Sequence, residues 1–162
     1  MPVRNEVIAG GVESTKQLLG RYLVGFTDET RVAQPPGLPN HVAWSLGHLA
    51  LTMHKIAEKF DGQPVPESPF DPESVAFGST PVPDTSKYPQ LDVCTATYEA
   101  ACDRLAAAVR AASDAKLDER IKWGPAEITL EAAALRMIFH NGMHTGQIAD
   151  VRRALNMKSI FA

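Results

Sequence analysis

Four stretches of the chain place apolar side chains at alternating steps of four and three. Near residues 5–26 the seam runs Ile8, Val12, Thr15, Leu19, Tyr22 and Phe26; near 40–60 it runs Val42, Leu46, Leu49, Met53, Ile56 and Phe60. Near 89–112 it is Cys94, Tyr98, Ala101, Leu105, Ala108 and Ala112, and near 130–156 Leu130, Ala134, Met137, Asn141, His144, Ile148, Val151 and Leu155. A helix with this rhythm carries one apolar stripe, and four-three alternation is the seam of helices packed close to parallel. No stretch alternates convincingly as a strand. The pattern predicts an all-α fold, a four-helix bundle, with residues 1–162 as a single domain.

Breaks between the seams agree. Gln34-Pro-Pro-Gly-Leu-Pro39 interrupts the chain, and Asn40 reads as the N-cap of the second helix. Asp61-Gly62 ends that helix, and seven of the twelve prolines follow between 61 and 89. They predict a long extended crossover between the second and third helices, lying over the bundle or across its end. Pro89 suits the first turn of the third helix. Trp123-Gly-Pro125 forms a turn before Thr129 opens the last helix.

The last seam is interrupted. Asn141 and His144 occupy positions held by apolar side chains elsewhere on that helix, and a polar group there is unfavourable unless something bonds to it. Gly142 and Gly146, four apart, form a smooth strip flanked by Phe139 and Met143, where a neighbouring helix or a second subunit could pack.

His140 and His144 are also four apart, so their imidazoles stack on one face within about 6 Å, close enough to grip one ion. The pair alone is equally compatible with two satisfied core-edge rings. A metal would need a third ligand, and His48 is the best candidate, although its position on the flank of its helix suits a cleft or solvent equally well. His41 shares that face, with Trp44 between them, and is a candidate for an outer ligand or a substrate contact. Gln147, one turn past His144, is placed for a contact to a ligand shell or a substrate. Trp44, His41 and Gln147 are therefore the candidate substrate-binding residues. His54 points elsewhere and reads as a surface residue. Glu58 and Asp150 do not converge on the histidines, so no general base accompanies them.

Composition narrows the function. The chain has 44% hydrophobic and 22% charged residues and a net charge of −3, and its basic spots are too small for a nucleic-acid face. No apolar run reaches bilayer length and no leader opens the chain, which implies a cytoplasmic protein with no membrane partner. Cys94 and Cys102 lie about 12 Å apart along a helix, too far for a mutual disulfide, and read as reduced, half-buried thiols.

Asn40-His-Val-Ala-Trp-Ser-Leu-Gly-His48-Leu, followed about ninety residues later by His140-x-x-x-His144-x-Gly-Gln147, resembles the DinB-like family of four-helix bundles. The resemblance implies an up-down-down-up bundle with one long crossover between helices 2 and 3. It also implies a divalent metal held by His48, His140 and His144, and often a homodimer, which suits the glycine strip. Some relatives are thiol-dependent transferases, such as bacillithiol S-transferases and mycothiol-dependent maleylpyruvate isomerases, in which the metal activates a small cofactor's thiol. Three imidazoles suit zinc, nickel or ferrous iron. The expected function is a metal-dependent small-molecule transferase or isomerase using a low-molecular-weight thiol, with hydrolysis the other reaction open to such a site. The alternatives are a non-catalytic metal-binding stress-response module acting through its dimer, and a bundle whose histidines are merely structural.

Overall fold

Each of the four seams becomes a long helix in the computed structural model, which describes residues 4–161. These are α1 (Arg4–Leu23), α2 (Val42–Asp61), α3 (Leu91–Arg110) and α5 (Leu130–Ala154), with a short α4 (Asp114–Asp118) between the last two. α1 packs against α3 and α5, and α2 packs against the same two helices. Ile8, Val12 and Leu19 of α1, Leu46, Leu49 and Met53 of α2, Tyr98 and Leu105 of α3, and Met137, Ile148 and Val151 of α5 share one core.

Helix ends follow local chemistry with two corrections. Gly62 closes α2 in the left-handed region at φ 70°, and the Thr129 side chain accepts the Ala132 N–H to open α5. The N-cap of α2, however, is His41 rather than Asn40: its Nδ1 accepts the Trp44 N–H at 3.1 Å. Asn40 instead donates to Gln147 Oε1 at 2.9 Å, tying the start of α2 to α5. Pro89 lies ahead of α3, whose N-cap is Gln90.

The expectation of no strand fails over residues 120–129. β1 (Arg120–Trp123) pairs antiparallel with β2 (Ala126–Thr129) around Gly124, which takes φ 59°. Ile121 faces Ile128 across the ladder. A hairpin this short reads from sequence as a mere turn, because each arm has only four residues.

The crossover lies over α2, not across a bundle end. Phe70 and Val75 are buried in the core, and every residue from 41 to 50 is buried. His54, expected at the surface, is likewise buried, beside the Arg104 guanidinium that forks onto Asp61. Arg31, also buried, fastens the far end of the crossover by donating to the Thr85, Tyr88 and Pro89 carbonyls.

Asn141 proves to be a core connector. Its amide donates to Thr15 Oγ1 at 2.9 Å and its carbonyl accepts the Tyr98 hydroxyl at 3.2 Å, joining α5 to α1 and α3. That pairing explains how a fully buried amide is tolerated in the seam.

Candidate metal centre

The second polar position of the seam has a different surrounding. His144 turns toward His140 on its own helix and His48 on α2, and one ring nitrogen from each of the three lies within 4.8 Å of the others. Ring centroids are 4.7 Å apart for His140–His144, 5.0 Å for His48–His140 and 5.3 Å for His48–His144. The Nε2 atoms of His140 and His144 are 3.1 Å apart. A tetrahedral ion at ordinary metal–nitrogen distances holds its ligand nitrogens about 3.3 Å apart, so this spacing fits a shared cation.

His48 reaches the group because the crossover holds its ring. Its Nδ1–H donates to the Val75 carbonyl at 2.8 Å, which leaves Nε2 with a free lone pair. Trp44 stacks on the same ring, centroids 4.6 Å apart and planes 9° from parallel. The Trp44 indole N–H in turn donates to the Ser74 carbonyl and to Ser79 Oγ, at 3.0 and 2.9 Å.

Burial determines the protonation state. It pushes His144 down to about 3, with the neighbouring His140 and His48 adding to the effect and the Gln147 amide opposing it. His140 falls to about 4, again through burial first and then His48. His48 is lowered by burial, against the raising influence of its bond to Val75. All three rings are therefore neutral near pH 7, the form in which imidazole binds metal. The Nδ1 atoms of His140 and His144 are buried without a hydrogen-bond partner among the described residues. No carboxylate or thiol joins the three-histidine group among those residues.

The sequence matches the DinB superfamily over residues 12–148, most of the chain and both histidine segments. The chain belongs to the DinB superfamily. A crystal structure of a conserved protein from Enterococcus faecalis superposes with a TM-score of 0.74 at 16% identity, covering 95% of this chain and 97% of that one. At that identity the likeness is one of fold. No curated protein matches the chain.

The three remaining sequence candidates take different places in this DinB-superfamily chain. Trp44 forms a wall of the group, 5.9 Å from the His144 ring as well as stacked on His48. Gln147 is half-buried beside His144, its carbonyl oxygen taken by Asn40. His41 is wholly buried with both nitrogens committed, Nδ1 to Trp44 N–H and Nε2–H to the Val82 carbonyl at 3.1 Å. Both of its ring nitrogens are thus engaged within the protein, away from the three-histidine group. Gly47 stands in the sequence only as part of the segment leading to His48, and Ser74, Val75 and Ser79 carry no pattern. A glycine inside a helix is the one visible signal among them; a backbone carbonyl leaves none.

Proposed function

We propose that His48, His140 and His144 hold a divalent metal ion, and that the protein is a metal-dependent enzyme acting on a small molecule. The observation that carries this is the convergence of three neutral imidazoles, one nitrogen of each within 4.8 Å of the others and the Nε2 atoms of His140 and His144 facing each other at 3.1 Å. An ion bound there would act as a Lewis acid and lower the pKa of a coordinated thiol or water toward neutrality. Three imidazoles leave coordination positions for such a molecule, the pattern of catalytic sites. His140, only partly buried, forms the edge of the group nearest solvent.

A low-molecular-weight thiol is the favoured cosubstrate, used for transfer or isomerisation. No carboxylate stands in the group as a base, and direct activation of a thiol by the ion needs none. Trp44 and Gln147 would bound the substrate. An up-down-down-up course of the long helices belongs to the same reading, supported by α1 and α2 each packing on α3 and α5.

A homodimeric, non-catalytic metal-binding module is the second reading. It is favoured by the outer face of α5, where Leu135, Phe139 and Met143 are exposed and nothing described lies within 4 Å of a Cβ placed on Gly142 or Gly146. No helix among the described residues is long and apolar enough to cross a membrane, which accords with a cytoplasmic setting.

The test is elemental analysis of untagged protein, followed by assays of the loaded protein with a panel of small thiols and electrophiles. One equivalent of metal and thiol consumption support the enzyme reading. Metal without turnover supports the module, and no metal in the native protein refutes both.

A further inference from the structure

Resting on the three-histidine reading, we infer that Gly47 is a positioning residue for His48. Its missing side chain lets the crossover lie on α2 closely enough for the Val75 carbonyl to fix the ring with Nε2 facing His140 and His144. A Cβ at position 47 would sit 2.6 and 2.7 Å from Cδ1 and Cε1 of Phe70 and 2.9 Å from Cγ1 of Val75. Carbon atoms in contact settle near 3.5–4.0 Å, so accommodating that one atom requires a displacement of about 1 Å.

Neither neighbour can readily step aside, because Phe70 and Val75 are both buried in the core. The displacement would fall on the crossover. Val75 carries both a clashing side chain and the carbonyl that accepts from His48 at 2.8 Å, so the two move together. An acceptor shifted by about 1 Å leaves hydrogen-bonding range. Ser74 and Ser79, which hold the Trp44 indole against the His48 ring, belong to the same segment. Both restraints on the ring therefore slacken at once.

Backbone conformation does not explain the glycine. Gly47 lies within α2 without the left-handed φ seen at Gly25 or Gly62, and alanine is the better helix former there. Close approach of the crossover is what the position requires.

The test compares wild type, Gly47→Ala, Phe70→Ala, Gly47→Ala/Phe70→Ala and His144→Ala by zinc competition against a chromophoric chelator, with circular dichroism as a control. Gly47→Ala is expected to keep its helical signal and bind zinc 10- to 100-fold more weakly, the usual effect of losing a ligand's outer partner. Phe70→Ala in that background removes the ring atoms the new methyl would strike. The double variant should bind zinc more tightly than Gly47→Ala alone. Imidazole nitrogen NMR of wild type should show His48 protonated at Nδ1, with the Nε2–H form appearing in Gly47→Ala. The inference is overturned by Gly47→Ala binding zinc within twofold of wild type, by a double variant no better than Gly47→Ala, or by a wild-type His48 protonated at Nε2. That last observation needs no variant to fold. Wild type binding no more zinc than His144→Ala overturns the three-histidine reading as well.

Discussion

Replacing His144 by alanine separates a metal ligand from a packed core ring, because the two roles predict opposite patterns of stability. In the metal-free protein the substitution loses the packing of a buried ring but also removes an Nδ1 with no partner. The lost packing is worth a few kcal/mol and the relieved polar atom about 1–3, so the metal-free variant should lie within about 2 kcal/mol of wild type. Zinc should then distinguish them. Free metal at a hundred times Kd stabilises the folded wild type by about 2.7 kcal/mol. For a protein of this size each kcal/mol moves the midpoint by about 2–4 °C, giving a rise of about 5–11 °C. Loss of one of three ligands should reduce the rise in the variant to about 1 °C or less at the same zinc concentration. The assay is thermal unfolding followed by circular dichroism with and without zinc, alongside elemental analysis after dialysis. A variant that keeps one zinc per chain, or shows the full wild-type rise, refutes the assignment of His144.

Three other substitutions test separate parts of the structure. Burial holds His41 at about 4, below its ordinary 6.5, so its contribution is fully present above pH 6.5 and is lost as pH falls through 4. Wild type should therefore lose about 2 kcal/mol more than His41→Asn between pH 7 and 5, measured by urea unfolding; equal losses would show that His41 does not titrate in this way. Asn141→Ala strands the buried Tyr98 hydroxyl and takes one of two partners from the Thr15 hydroxyl, which keeps the Val12 carbonyl, and should destabilise by about 1–3 kcal/mol in urea while leaving zinc affinity unchanged. A large drop in zinc affinity would place Asn141 in the metal site instead. Phe139, 73% exposed on the open face of α5, should carry a homodimer contact: light scattering is expected to give a dimer for wild type and a monomer for Phe139→Glu, and equal masses would count against that face.

The helices were legible because their signal is periodic and local. Leu46, Leu49 and Met53 follow from four-three spacing, and the same spacing stacks His140 on His144. Composition also revealed the crossover, since seven prolines cannot sit in helix interiors. Partnerships between distant segments were less legible. Asn141 and His144 both interrupt the seam of α5, yet one meets Tyr98 and Thr15 while the other meets two imidazoles. Wheel geometry placed His48 and His41 on one face, and it is what lies opposite that divides them. Val75 leaves His48 one free nitrogen, whereas Trp44 and Val82 leave His41 none. The hairpin of 120–129 escaped because strands of four residues give alternation little room to register.

The group's location also accounts for the use of so long a crossover. Two histidines one turn apart on α5 can present only one edge of a coordination sphere, and the third ring has to come from a facing helix. α2 supplies it, but His48 stands on the flank of that helix, where an imidazole with no outer support would swing among rotamers. Laying residues 70–79 over that flank, with Val82 and Tyr88 against His41, converts it into interior, and with the opposite face in the bundle core residues 41–50 are buried without a break. The same cover supplies a carbonyl to His48 and two acceptors to Trp44. It also lowers the affinity of His48 for protons by excluding water. A short hairpin between α2 and α3 would close the fold with less chain. It would leave the flank wet and His48 both mobile and more easily protonated. The extended segment is thus part of the site's construction, and the three imidazoles depend on it as much as on the helices that carry them.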